Sequence, residues 1–216
     1  PIWALYAGEC TMVDRWFGRL VDTVDLLGLD ENTMVVFLGD HGHYIGYPTD
    51  GGQIGKWVGY RHSDGRKADK DADVFMPLLD AVSNPPLMIR MPGQSRGAVR
   101  NDLVQPPDLM PTVLEACGVA TPETVQGTTI LPLLGGEKQK LRTTAVTAGH
   151  RFVAQITDRR WLYGAWVHDH PPRLFDRKED PEQKRDLLRS NRDVAGRLHR
   201  KLIRELTRLE APADWI

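Results

Sequence analysis

The chain has 216 residues, of which 41% are hydrophobic and 26% charged, and its formal net charge is −1. A chain of this length and composition can bury a substantial core, while its near-neutral charge creates no overall field that favours nucleic acid or an anionic membrane. No apolar run approaches the roughly 20 residues that span a bilayer, so we expect neither nucleic acid nor membrane as a partner.

The first predicted element is an amphipathic helix over residues 9–28, which Gly28 can end as a C-terminal cap. Its apolar residues recur at helical spacing, and we expect that face to lie on a core. They are Val13, Trp16, Phe17, Leu20, Val24 and Leu27. After a short loop, the apolar run 33–38 predicts a strand buried on both faces, as in a parallel sheet. Helix, short loop and strand make one α/β unit.

Asp40, His41 and Gly42 stand where this strand ends. Open α/β sheets bind ligands at that edge, and an oxygen and a nitrogen ligand presented there can hold a divalent cation. Adjacent residues on an extended backbone point to opposite sides, so the chain must bend to bring both onto one ion, and Gly42 allows the bend. The alternative is an ordinary turn acid and loop histidine.

A glycine-rich segment, residues 42–55, follows and predicts a loop, without strand or helix. Lys56 comes next, among apolar neighbours and with no acid beside it, a setting that suits an oxyanion. A solvated surface lysine is the alternative. His43 follows the two candidate ligands after Gly42, and we expect it to hydrogen-bond to them and to contact substrate.

Other candidate groups carry weaker signals. Residues 61–73 predict an exposed polar excursion, in which we expect His62 and Asp64 to face solvent. His168 and His170 could pair on a metal, although two ligands followed by two prolines make a weak site. Cys10 and Cys117 lie in amphipathic helical patterns, and we expect both to be small buried residues that form no disulfide.

The middle of the chain predicts a second strand over residues 87–91. A helix is predicted to open at residues 106–108 and to end at Gly118. Residues 119–142 are expected to be loop-like.

Beyond residue 143 the pattern changes to short strands. Segments 143–148, 152–157 and 161–167 are strand candidates, and the tight turn at residues 158–159 predicts an antiparallel hairpin. A fourth strand is predicted at 173–176 and a closing helix at about 191–209. We therefore place a boundary near residue 140, between segments 1–140 and 141–216. The many arginines of the last third stand beside acids and predict a solvated face.

Taken together, these residues resemble the second half of a sulfatase of the alkaline-phosphatase-like superfamily. The resemblance peaks at Gly39-Asp40-His41-Gly42 and at Ile54-Gly55-Lys56. It is also carried by residues 6–9, 13–20, 27–37, 86–93, 104–112, 126–134 and 174–183. In order and spacing these segments cover nearly the whole chain.

The resemblance implies a mixed α/β sheet flanked by helices, with a small C-terminal antiparallel sheet and a closing helix. It implies that Asp40 and His41 bind a divalent cation, calcium before manganese, zinc or iron, and that Lys56 contacts the sulfate of a small ester substrate. The implied activity is hydrolysis of sulfate esters. A phosphonate monoester or phosphodiester hydrolase and a non-catalytic truncated homologue are the alternatives.

The sequence also departs from the family. The motif Cys-x-Pro-x-Arg, whose cysteine becomes the formylglycine nucleophile, is absent from these residues. The chain begins at Pro1 without an initiator methionine or a signal-peptide pattern. We therefore expect the C-terminal part of a longer protein, which carries formylglycine elsewhere. This part alone is expected to be inactive and either to associate or to pair with the rest of its sheet. The cellular compartment stays open.

Overall fold

The structure is a computed structural model that describes residues 2–46, 54–55, 78–136, 140–149, 153–166 and 171–213. The chain divides into two compact units, one of residues 1–69 and 80–99, and one of residues 70–79 and 100–216. The boundary near residue 140 rests on a change of sequence pattern and stays a prediction. In the described parts of the chain, no helix has the length and apolar character needed to cross a bilayer.

Among its described residues, the first unit contains two α-helices, a 3₁₀ turn (Asp30–Asn32) and two small antiparallel sheets. Its elements are α1 (Ile2–Leu26), β1 (Val35–Leu38), β2 (Tyr44–Ile45), β3 (Ile54–Gly55), α2 (Asp80–Ser83) and β4 (Leu87–Arg90). β1 pairs with β4 in the register Val36 to Ile89, and β2 pairs with β3. The prediction that 42–55 holds no strand is wrong, because two residues at each end of that segment form a short ladder across the glycine-rich stretch.

Helix α1 is longer than predicted and ends at the expected place. Gly28 adopts a left-handed φ of 65°, which a glycine reaches without a steric penalty, and the N–H of Leu29 bonds back to the carbonyl of Val24. Phe17 packs against Phe37 of β1, with ring centroids 4.9 Å apart. This contact joins the helix to the strand as an α/β unit.

The predicted burial of this unit is wrong in two places. No residue of α1 is buried, and four of the six apolar residues expected in the core are exposed: Val13, Trp16, Leu20 and Leu27. Strand β1 is half-buried to exposed, and its partner β4 runs antiparallel. Periodicity identifies an apolar stripe, whereas its burial depends on which other segments cover it.

The second unit holds a four-stranded antiparallel sheet and a packed helix, as predicted. The strands follow in the order β5 (Ala145–Gly149), β6 (Val153–Thr157), β7 (Trp161–Trp166) and β8 (Arg173–Asp176). Helix α5 (Arg192–Arg208) covers one face. Its leucines at positions 198, 202 and 206 lie in the core with Ile156 and Leu174. Ala154 and Ile156, two residues apart on one face of β6, meet the leucines of α5 at this core.

The same unit contains a buried polar junction around Asp108. A 3₁₀ turn (Pro106–Asp108) leads into α3 (Leu109–Ala116), in agreement with the predicted helix. The Asp108 carboxylate accepts the backbone N–H groups of Gln105 (2.7 Å) and Thr128 (2.9 Å) and both terminal nitrogens of Arg142. Arg142 also donates to the carbonyl of Leu103. One carboxylate thus ties together three loops.

Two further expectations are corrected in this part of the chain. Residues Leu131–Leu134 form a short helix, α4, within the segment that we expected to be loop-like. Cys10 and Cys117 are both exposed free cysteines, because the apolar patterns that contain them are not covered there. Neither forms a disulfide, as expected.

Candidate metal and substrate site

The segment after β1 is held by its backbone at two places. The N–H of Gly39 bonds to the carbonyl of Pro86 (3.1 Å), next to the last ladder pair of β1 and β4. The N–H groups of Gly42 and His43 bond to carbonyls of α2, those of Val82 (2.8 Å) and Ala81 (3.0 Å). Asp40 and His41 lie between these anchors, so their backbone position is set by long-range contacts.

Gly42 is required by the closeness of α2. A Cβ atom added at Gly42 would lie 1.9 Å from the carbonyl oxygen of Ala81, far inside any allowed contact. Its φ is not in the left-handed region. The bend predicted here therefore depends on glycine for its lack of a side chain.

Asp40 and His41 bring one oxygen and one nitrogen close together. The Oδ1 atom of Asp40 accepts the N–H of His41 (2.9 Å), and its Oδ2 atom lies 3.5 Å from His41 Nε2. His41 Nδ1 lies 2.8 Å from the carbonyl oxygen of Gly42. A carbonyl only accepts hydrogen bonds, so Nδ1 carries the hydrogen, and the neutral ring has its lone pair at Nε2.

This arrangement fits a divalent cation by two criteria. Two atoms bound to one ion at about 2.0–2.5 Å each must lie within about 5 Å of each other, a condition that Oδ2 and Nε2 meet. A histidine that ligates a metal usually donates its other ring N–H to a carbonyl or carboxylate, as His41 does to Gly42. The Asp40 side chain is 86% exposed, so its carboxylate is open to an ion.

The pair stands without a third ligand in the described part of the chain. No group of three or more His, Cys, Asp or Glu residues that could hold a metal occurs among those residues. Any remaining ligands of a bound ion would be water or groups outside these residues.

The structure does not bring His43 to this pair. His43 is exposed, and its Nδ1 bonds to the carbonyl of its neighbour Tyr44 (2.8 Å), not to Asp40 or His41. Lys56 lies outside the described residues, as do His62, Asp64, His168 and His170. Their assignments stay predictions.

Sequence reasoning missed the support that α2 gives to the site. The helix has only four residues, and the carbonyls of Ala81 and Val82 act through their backbone. A sequence pattern carries almost no signal for such contacts. Trp3 was also missed: its indole N–H donates to the carbonyl of Ile45 (2.8 Å) and connects α1 to β2.

The described elements form an α/β protein, and they agree with the alkaline-phosphatase-like class that the sequence resembles. A family model described as "Sulfatase" matches residues 2–119, and one described as "N-sulphoglucosamine sulphohydrolase, C-terminal" matches residues 78–211. Each covers more than half of the chain, which therefore belongs to the sulfatase family.

Individual proteins agree with this result. The chain is 27% identical to an endo-4-O-sulfatase of Bacteroides thetaiotaomicron, over 96% of this chain and 42% of that protein. It is 25% identical to arylsulfatase K of Xenopus laevis, over 83% of this chain and 32% of that protein. Among solved structures, the phosphonate monoester hydrolase of Silicibacter pomeroyi superposes with a TM-score of 0.69 at 26% identity, covering 91% of this chain and 39% of that one. The chain thus spans less than half the length of these relatives.

Proposed function

We propose that this chain forms the Asp40 and His41 side of a sulfatase active site and takes part in the hydrolysis of sulfate esters. The observation that carries the proposal is the 3.5 Å approach of Asp40 Oδ2 to His41 Nε2 at the end of β1. Membership of the sulfatase family supports the same reading.

Asp40 and His41 would hold a divalent cation, whose charge stabilises the negative charge that develops on a transferring sulfuryl group. Calcium, which the resemblance puts first, prefers all-oxygen ligand sets. The nitrogen donor of His41 is better matched to zinc or iron. We therefore propose a transition metal ahead of calcium at this pair.

The remaining groups are assigned by resemblance and by residue chemistry. Lys56 would place its ammonium group against the sulfate oxygens, and His43 would contact the substrate beside it. A formylglycine nucleophile would come from outside this chain, because Cys-x-Pro-x-Arg does not occur in its sequence. The chain by itself would then bind but not turn over a sulfate ester.

The test uses the complete protein encoded by this reading frame. Asp40→Ala should remove the bound metal, as measured by mass spectrometry of the purified protein, and lower sulfate release at least about a hundredfold, in line with loss of charge stabilisation. Asp14→Ala, which removes an exposed acid from α1, is the matched control and should change neither quantity. Unchanged metal content and activity in Asp40→Ala would refute the assignment.

Phosphonate monoester or phosphodiester hydrolysis is the second candidate. The nitrogen donor at His41 and the superposition on the Silicibacter pomeroyi enzyme favour it. Comparing kcat/KM for an aryl sulfate and for the matching aryl phosphonate distinguishes the two, because the preferred ester identifies the reaction. Turnover of neither ester by the complete protein would favour the non-catalytic homologue.

A further inference from the structure

The outer face of α5 carries a row of cations. Five arginines on this helix are exposed, and we refer to the four that lie opposite its buried leucines as the basic face of α5: Arg197, Arg200, Arg204 and Arg208. The residues from 184 to 208 hold nine Lys and Arg against three Asp and Glu, a net charge of +6 in a chain whose formal net charge is −1. The rest of the chain therefore carries −7, and positive charge is concentrated here.

Packing fixes the direction of this face. Leu198 and Leu202 are 0% and 1% exposed, and Leu206 is buried beside them. The helix cannot rotate without removing these leucines from the core of the second unit. The arginines on the opposite side are consequently held towards solvent.

Two of these four charges are not neutralised by neighbouring acids. Arg208 pairs with Glu205 (2.9 Å), and Arg197 lies 3.8 Å from Asp158. The other two, Arg200 and Arg204, have no acidic partner among the described residues. The sequence predicted a solvated face with adjacent acids, whereas the helix places two unneutralised guanidinium groups on one side.

We propose that the basic face of α5 binds a sulfated polysaccharide. Guanidinium groups donate paired hydrogen bonds to oxyanions, and each is always charged. At a rise of about 1.5 Å per residue, Arg200, Arg204 and Arg208 follow at about 6 Å intervals, and the row from Arg197 to Arg208 spans about 16 Å. Such a length suits a polyanion, not a single small ester. The choice of sulfate as the anion rests on the proposed function.

Two other polyanionic surfaces are less well matched. Single-stranded nucleic acids are usually bound by basic grooves with stacking aromatics, and α5 contains no Phe, Tyr or Trp. Helices that lie on membranes insert an apolar face beside their cations, and the apolar face of α5 is already buried in its own unit.

The experiment measures binding without turnover. Calorimetry measures the affinity of the chain for a heparin oligosaccharide at salt concentrations between about 50 and 250 mM. The salt is varied because binding that neutralises a polyanion weakens as the salt concentration rises. Arg200→Gln with Arg204→Gln should weaken binding about tenfold or more and reduce the slope of log K against log salt by about two. The matched control, Arg15→Gln with Arg96→Gln, removes two exposed charges from the first unit and should stay within about twofold.

Two ligands complete the test. A hyaluronan oligosaccharide, which carries carboxylates but no sulfates, should bind more weakly than heparin, and so should a DNA duplex of equal charge. Equal loss in both variants, or equal affinity for hyaluronan or DNA, would overturn the proposal. Because this experiment measures no hydrolysis, a negative result would refute the polysaccharide site without refuting the proposed activity. Loss of activity in Asp40→Ala likewise gives no information about the basic face of α5.

Discussion

The two units of this chain differ in how far they bury the apolar residues of their longest helix. In the second unit, α5 buries its leucines against the four-stranded sheet, and Leu198 is 0% exposed. In the first unit, α1 is longer and also has apolar residues at helical spacing, yet it has no buried residue, and Trp16 is 60% exposed. The comparison shows that the spacing of apolar residues identifies the apolar face of a helix, whereas the burial of that face depends on which other segments pack against it.

Helix α1 in fact carries two apolar rows. One includes Phe17, which packs on Phe37 of β1. The other includes Met12, Trp16 and Leu20 and is exposed. A helix with apolar residues on two sides suits a position between two layers, and an apolar surface of this kind marks a contact face.

The largest expected effect concerns the buried ion pair of the second unit. Arg142→Met leaves the Asp108 carboxylate, which is 1% exposed, without its cation, and should lower the free energy of unfolding by about 3–5 kcal/mol. Arg90→Met removes the more exposed pair with Asp25 in the first unit and should change the free energy of unfolding far less, because solvent screens an exposed ion pair. Urea unfolding measures both, and equal losses would contradict the difference between the units.

A core truncation tests the comparison directly. Leu198→Ala should lower the free energy of unfolding by about 2–5 kcal/mol, because it opens a cavity in a packed core. Leu20→Ala in α1 removes a side chain that is 54% exposed and should change stability by about 0.5 kcal/mol or less. A large loss from Leu20→Ala would mean that the outer row of α1 is covered in solution.

Two glycines of the first unit differ in the space around them, because Gly42 is tightly packed and Gly18 is not. Gly42→Ala would collide with the carbonyl of Ala81 and should cost about 1–3 kcal/mol or more. Gly18→Ala meets open space within α1 and should stabilise the helix by about 0.5–1 kcal/mol. Thermal unfolding of the two variants should therefore shift in opposite directions, and parallel shifts would show that α2 does not pack on Gly42.

The smallest effect depends on pH and concerns Asp176 in the second unit. Burial alone would raise the pKa of this carboxyl, but hydrogen bonds from Arg160 and from the N–H groups of Glu179 and Lys178 outweigh burial and lower the pKa below 3.8. The ionised group therefore stabilises the fold above about pH 4, and this contribution is lost as pH falls through the lower folded pKa. Asp176→Asn should destabilise the protein at pH 7, and its difference from wild type should shrink towards pH 3. A constant difference in urea unfolding would argue against this coupling.

Local patterns predicted the elements well and their surroundings poorly. The hairpin turn at Asp158, the strand at Arg173–Asp176 and the leucine repeat of α5 are fixed by short-range spacing, and all are present. The two-residue strands β2 and β3 and the four-residue α2 exist through pairing and packing partners distant in sequence, and no periodicity can develop in so few residues.

The candidate site likewise has one part that the sequence predicted and another that it did not. Asp40, His41 and Gly42 are consecutive, so their juxtaposition follows from a single turn and could be proposed from sequence. The tautomer of His41 depends on the carbonyl of Gly42, and the placement of that glycine depends on Val82. Those dependencies are backbone contacts, which the identity of the side chains does not reveal. The roles of Lys56 and His43 remain predictions.

The bond between Gly42 and Val82 also bears on how sequences of this kind can vary. It closes a loop whose two ends meet beneath the candidate ligands. The entropy of closing a flexible loop grows only logarithmically with its length, so that doubling the number of residues costs about 0.6 kcal/mol. Insertions and deletions between these two residues should thus cost little free energy of unfolding, so that the length of this segment can vary while the hydrogen bond between Gly42 and Val82 is kept.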